Sequence, residues 1–229
     1  MTGMPLRDYP EADVLIHAGD GTYRGTIPEV TFLAKTIAKH YEDSRHHTGY
    51  QQIIYVPGNH DWLFQLNERL ARQIMADYNI IVLINERHVY QGVTFWGSPV
   101  CPPFHDWAFY RNGIERFELW ETIPNDTDVL ITHGPPRYMR DEVREFMKIK
   151  YCGCEMLENR VKQLAPKAHI FGHIHEGYGV TKGDNTLFVN PSIMDGRYKP
   201  ENKPILIEVT NETANFLSGH DVNYNVSNY

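Results

Sequence analysis

The chain has 229 residues, a formal net charge of −7 and 41% hydrophobic residues. That apolar share supports a buried core and excludes a disordered chain, and the length suits one domain over 1–229. The acidic balance argues against a basic groove for polymeric nucleic acid, but leaves room for a small anionic substrate met by metal ions.

Three cysteines, Cys101, Cys152 and Cys154, make no disulfide framework and point to a reducing, cytoplasmic setting. No apolar run reaches the roughly 20 residues needed to cross a bilayer, so a membrane partner is not expected. The N-terminus has no signal-peptide pattern.

In chain order, residues 1–12 show little apolar periodicity and read as an irregular lead-in. Asp13-Val14-Leu15-Ile16-His17 reads as a buried strand closing at Ala18-Gly19-Asp20, with His17 either a core residue or a support behind the strand-end ligands. Thr26-Ile27-Pro28-Glu29 matches a capping box and opens a helix whose apolar stripe is Val30, Leu33, Ala34, Ile37 and Tyr41. His46-His47 falls in the polar connector after it and reads as solvated loop. Ile53-Ile54-Tyr55-Val56 is a second buried strand, ended by Pro57-Gly58 and followed by Asn59-His60-Asp61. Strand, helix, strand in this rhythm predicts a right-handed crossover and a largely parallel sheet, hence an α/β protein.

Leu63, Leu66, Leu70, Ile74 and Tyr78 predict one further amphipathic helix, with short strands to follow at 80–83 and 93–96. The connection 99–113 is long and aromatic, carrying Phe104, Trp107, Phe109 and Tyr110. Loops of that length are often functional, so it either lines a pocket or packs over a sheet edge. Asp128-Val129-Leu130-Ile131-Thr132 is another buried strand, terminated by His133-Gly134-Pro135-Pro136. The stretch 137–150 is charged, and Leu157, Val161 and Leu164 predict a helix after it. Ala168-His169-Ile170-Phe171 is a strand ending in Gly172-His173-Ile174-His175. Late strands are expected at 186–189 and 204–209, before a polar tail at 210–229 with few apolar residues to order it.

Four apolar strands therefore end in residues able to bind metal: Asp20, Asn59, His133 and the pair His173/His175. Ligands of open α/β sheets sit at such carboxyl ends, and the expectation is that all four meet at the edge of one parallel sheet. The i, i+2 spacing of His173 and His175 puts both side chains on one side of extended backbone, so that they serve neighbouring ions. Mixed oxygen and imidazole donors without thiolate suit Mn²⁺, Fe, Zn²⁺ or Ni²⁺. Paired ions suit phosphoester hydrolysis, clamping the attacking and leaving oxygens and supplying hydroxide near neutrality. His60 is placed to protonate the departing alkoxide, with Asp61 orienting its ring.

In the order Gly19-Asp20, Gly58-Asn59-His60-Asp61, His133, Gly172-His173-Ile174-His175, the chain resembles the calcineurin-like metallophosphoesterase superfamily. Leu15-Ile16-His17-Ala18-Gly19-Asp20, Thr132-His133-Gly134-Pro135-Pro136, Gly153-Cys154-Glu155 and the run from Phe171 to Gly179 are similar to its metallophosphoesterase domain-containing (MPPED-like) branch. The resemblance implies a four-layer α-β-β-α sandwich with a dinuclear centre, for which Mn²⁺ is the favoured ion. It also implies that Asp20 bridges the ions, that Asn59, His133 and His173 complete one site, that His175 belongs to the other, and that His60 is the general acid. An opening strand ending Asp-x-His is missing before Val14, so this chain is expected to retain only Asp20 and His175 in the second site and to hold one ion in place of two. His220-Asp221 offers a substitute that its spacing does not recommend.

Two functions of different class compete on these grounds. One is a metal-dependent phosphodiesterase acting on a small phosphoester such as a cyclic nucleotide. The other is a catalytically weak or inactive homologue that binds a nucleotide or a protein partner.

Overall fold

The computed structural model describes residues 10–44, 50–103, 105–145, 148–219 and 224–226. His46-His47 and His220-Asp221 lie outside the described residues, as do Asp8 and Tyr9.

Two sheets face one another. Strands β1 (Val14–His17), β2 (Gln52–Tyr55) and β3 (Ile80–Val82) form a parallel three-stranded sheet in chain order. The larger sheet is built from β4 (Glu86–Tyr90), β5 (Val93–Ser98), β6 (Val129–Thr132), β9 (Ala168–Phe171), β10 (Gly179–Lys182), β11 (Leu187–Asn190) and β14 (Tyr224–Val226). Its order is β14-β10-β11-β9-β6-β5-β4, with β5, β6, β9 and β11 running parallel through its centre. Alternation along the central strands sorts their side chains between faces. Ile54 of β2 and Val129 and Ile131 of β6 fill the layer between the sheets. Ile53 and Tyr55 face outward under α1 (Ile27–Ser44), α2 (Trp62–Leu66) and α3 (Glu68–Ala76), while Leu130 and Phe171 face α4 (Gly113–Glu121) and α5 (Glu155–Leu164). The result is four layers, helix–sheet–sheet–helix, as the resemblance implies.

Local chemistry accounts for several element ends. Thr26 and Glu29 form the expected capping box of α1: the Thr26 backbone N–H donates to Glu29 Oε2 at 3.0 Å and the Glu29 N–H to Thr26 Oγ1 at 3.4 Å. The single helix expected over 63–78 is instead two, because Asn67 leaves helical backbone (φ −149°) and its side chain caps α3 by accepting from the Leu70 N–H at 3.2 Å. Leu66, counted in the apolar stripe, is consequently 74% exposed. The expected strands omit β4, which pairs with β5 across Gln91-Gly92, both at positive φ (47° and 81°). That is the two-residue hairpin turn whose twist suits antiparallel strands.

Within 99–113, the Asn112 side chain accepts from the Glu115 N–H and starts α4, an element absent from the expected set. The charged stretch 137–150 holds the hairpin of β7 (Glu142–Glu145) and β8 (Lys148–Tyr151). In the tail, β13 (Ala214–Ser218) pairs with β12 (Leu206–Val209), and Ala214 and Phe216 pack on the inter-sheet core. Two apolar side chains on one face are enough to seat this strand in a stretch that reads as polar. Among the described residues, no helix is long and apolar enough to cross a membrane.

Candidate metal centre

The four candidate strand ends belong to two sheets, which corrects the expectation of one shared edge. Asp20 and Asn59 follow β1 and β2 of the small sheet, whereas His133 and His173 follow β6 and β9 of the large one. The inter-sheet core holds the two sheets face to face, so their carboxyl ends meet across the gap. There Asp20, His133 and His173 bring one ligand atom each to within 4.8 Å of one another. Asn59 joins them, with its Oδ1 2.8 Å from His133 Nε2.

The approach is close because two glycines leave room for it. A Cβ on Gly58 would lie 2.3 Å from Asp20 Oδ1 and 2.6 Å from His133 Cε1. One on Gly19, at φ +97°, would lie 2.6 Å from His133 Nδ1. Asp20 and His173 themselves adopt positive φ, 56° and 67°. Non-glycine residues there carry a conformational cost that the surrounding structure must offset, and such strain gathers at functional sites.

His133 is buried, and its Nδ1 lies 2.8 Å from the Ala18 carbonyl oxygen. A carbonyl can only accept, so Nδ1 carries the proton and Nε2 presents its lone pair. That lone pair faces Asn59 Oδ1 at 2.8 Å and Asp20 Oδ2 at 3.2 Å. Three acceptors pointed at one another are stable only with a proton or a cation among them. The ionisation of the cluster reflects the same demand. Burial disfavours a charged His133, but the Asp20 carboxylate outweighs it and raises the imidazole pKa. Burial likewise pushes Asp20 up, and the positive field and hydrogen bond of His133 and the His60 N–H reverse this, holding the carboxyl well below its usual range. Burial lowers His173 to about 3, leaving a neutral imidazole. Neutral imidazole, carboxylate and amide oxygen in one nest suit a small divalent cation, with the Nδ1–carbonyl bond of His133 fixing the tautomer.

His175 stands outside that group of three. The backbone is not extended here: His173 has φ 67° and His175 opens a 3₁₀ turn over His175–Gly177, so the two histidines do not share a pleat face. Burial lowers the His175 pKa, and its ring meets Tyr198 edge-on at 5.0 Å.

His60 donates its backbone N–H to Asp20 Oδ1 at 2.9 Å. Its Nδ1 lies 2.9 Å from the Tyr23 carbonyl oxygen, so Nδ1 carries the proton and Nε2 is the atom left to exchange one. Asp61 does not orient that ring, contrary to the sequence-based expectation. Its carboxylate is fully buried and accepts from Gly58 N–H (2.7 Å), Tyr55 Oη (2.7 Å), Asp20 N–H (2.9 Å), Thr22 N–H (3.1 Å) and Thr22 Oγ1 (2.7 Å). Five donors converging from the end of β2 and the loops after β1 and β2 turn the side chain away from its neighbour His60. Asp61 therefore shapes the loop that carries Asp20. Tyr55, Thr22 and His17, whose Nδ1 accepts the Gly19 N–H at 3.2 Å, complete this support. No local motif singles out Tyr55 or Thr22, because their roles depend on contacts between separate loops.

A two-sheet α/β sandwich with this donor set at its strand ends defines a class, and the comparisons agree. The calcineurin-like phosphoesterase family model matches residues 5–177, and the chain belongs to that family. Metallophosphoesterase domain-containing protein 1 of Homo sapiens is 35% identical over 224 residues, covering 87% of this chain and 65% of that protein. UPF0046 protein K07C11.7 of Caenorhabditis elegans is 35% identical over 217 residues, covering 89% of this chain and 70% of its own. The chain thus spans about two thirds of the length of these curated relatives. Among solved structures, a crystal structure shares the fold with a TM-score of 0.53 at 20% identity over 79% of each chain.

Proposed function

We propose that this chain is a metal-dependent phosphoesterase acting on a small phosphodiester, with a nucleotide as the substrate class. The convergence of the His133 Nε2 lone pair on Asn59 Oδ1 and Asp20 Oδ2, at 2.8 and 3.2 Å, carries this reading. In it, Asp20, Asn59, His133 and His173 hold a divalent cation, Mn²⁺ first, with Fe, Zn²⁺ or Ni²⁺ as alternatives. When bound, the cation supplies Lewis acidity and a more acidic water. Protonated His60 gives the proton on Nε2 to the leaving oxygen, and its Nδ1–H···O=C bond to Tyr23 holds the ring for that transfer. Asp61 keeps Asp20 in register by holding its backbone N–H. His175 is the remaining imidazole for a second cation.

A second reading is a catalytically weak homologue that binds a nucleotide around one cation. It is favoured by a specific observation: among the described residues one group of three donors is found, and it omits His175. Elemental analysis and hydrolysis of bis(p-nitrophenyl) phosphate with added Mn²⁺ separate the two. Turnover that disappears together with bound metal in His133→Ala supports the enzyme. One tightly held metal with nucleotide binding and no turnover supports the binder, and a wild-type chain that holds no divalent cation sinks both.

A further inference from the structure

Three aromatic side chains surround the candidate site without belonging to its donor set or to any of the hydrophobic cores. Tyr23 and Trp107 lie against the His60 ring, with centroid separations of 5.9 and 4.1 Å. Tyr198 meets the ring of His175 at 5.0 Å. The aromatic contacts thus fall on the two histidines outside the donor group of Asp20, His133 and His173.

Backbone hydrogen bonds hold the segment that carries each ring. Trp107 comes from the long 99–113 connection, which is tied to the site where the Ala108 N–H donates to the Asn59 carbonyl at 3.1 Å. Tyr23 follows the Asp20 loop, and its carbonyl meets His60 Nδ1. Tyr198 sits at the tip of a tight turn centred on Asp195, whose Oδ1 accepts from the Arg197 and Lys199 N–H groups at 2.8 and 2.9 Å. Its own N–H donates to the Asp195 carbonyl at 2.9 Å. At φ 60°, a bulky side chain pays a steric cost that glycine would avoid. Yet the ring is 77% exposed, and Tyr23 is 64% exposed, so folding recovers little from either.

An exposed Tyr198 at a strained φ, an exposed Tyr23 and a half-buried Trp107, all beside a cation-binding donor group, suit a planar π-system carried next to a phosphate. Aromatic side chains stack on bases without needing a specific hydrogen-bond pattern. We propose that Tyr23, Trp107 and Tyr198 form a stacking rim for the base of a nucleotide whose phosphate occupies the candidate metal centre. This deepens the phosphoesterase reading and rests on it: a cation held by the donor group takes the phosphate, and the rim selects esters that carry a base.

The test is calorimetric and independent of turnover. In the presence of Mn²⁺, the affinities of inosine 5′-monophosphate and ribose 5-phosphate, which differ only in the base, are measured on the whole chain. The nucleotide is expected to bind at least about tenfold more tightly. In Tyr198→Ala, and in Trp107→Ala, that ratio is expected to fall towards one, while Trp107→Phe retains it. Equal affinity of the wild type for the two ligands overturns the rim and leaves the phosphate site standing. A large ratio that all the alanine variants preserve also overturns it. If neither ligand nor inorganic phosphate binds in Mn²⁺, the phosphoesterase reading fails and the rim falls with it. Tyr198 is mostly exposed, so its variant reports on binding even if removal of Trp107 perturbs the loop.

Discussion

The carboxylate of Asp61 accepts the backbone N–H of Asp20 at 2.9 Å, joining two residues 41 positions apart in the chain. The same Oδ2 accepts from Gly58 N–H and Tyr55 Oη, so one buried oxygen fixes the two small-sheet loops that carry Asp20 and Asn59. Truncation in Asp61→Ala leaves these buried donors without partners, each at about 1–3 kcal/mol. The expected result is a stability loss of at least about 3 kcal/mol. It should be read as a lower urea midpoint at unchanged m-value, accompanied by weaker metal binding.

Metal loading should stabilise the fold itself. A cation present at about 100 times its dissociation constant adds about 2.7 kcal/mol to the folded state. Thermal melts in Mn²⁺ should therefore lie above melts in EDTA. Asp20→Asn and His133→Ala should abolish most of the difference, because each removes a donor from the group within 4.8 Å. An equal metal-induced shift in both variants would place the cation elsewhere.

Gly58 offers a steric test at the same place. A methyl at this position would sit 2.3 Å from Asp20 Oδ1 and 2.5 Å from the Asp20 backbone nitrogen. Either the loop or the carboxylate must then move. Gly58→Ala should weaken divalent-cation affinity by about tenfold or more, equivalent to about 1.4 kcal/mol, as measured by calorimetry.

His60 should matter in proportion to the difficulty of the leaving group. General acid catalysis contributes about 10²–10⁴-fold, and a good leaving group such as p-nitrophenolate needs less of it than an alkoxide. His60→Ala should thus slow hydrolysis of an alkyl phosphodiester more steeply than that of bis(p-nitrophenyl) phosphate, with bound metal retained. Equal losses on both substrates would assign His60 a binding role.

His169 supplies a pH dependence separate from the metal cluster. It is fully buried in β9, hydrogen-bonded to Thr132 Oγ1 at 2.9 Å, and burial lowers its pKa to about 3. An unfolded histidine titrates near 6.5, so between pH 6.5 and 3 the unfolded chain binds the extra proton. Stability contributed by the neutral, buried ring is present above pH 6.5 and is lost as the pH falls. From pH 7 to 5 the loss from this group is about 2 kcal/mol. In His169→Gln, the slope of stability against pH over that range should flatten, as followed by urea titration at each pH.

How far the primary structure reaches is clearest at the donors. Asp20, Asn59, His133 and His173 each follow an apolar run that the structure shows as a strand; each is ordinary alone, and it is their recurrence at four strand ends that makes them candidates. The i, i+2 argument for His173 and His175 fails because it assumes extended backbone, and Gly172 to Gly177 turns sharply instead. Asp61 adjoins His60 in the chain, yet its partners lie on loops that only folding brings near.

The amino-acid sequence by itself determined the strand rhythm, the capping of α1 and the chemistry offered at each strand end, because these depend on neighbours a few residues away. Only the tertiary structure decided that the donors come from two sheets, that Asp61 serves the Asp20 loop, and that Trp107 and Tyr198 stand beside His60 and His175. Those relationships span tens to over a hundred residues. They exist because burial of the inter-sheet core brings the carboxyl ends of separate strands together, and no local preference encodes that meeting.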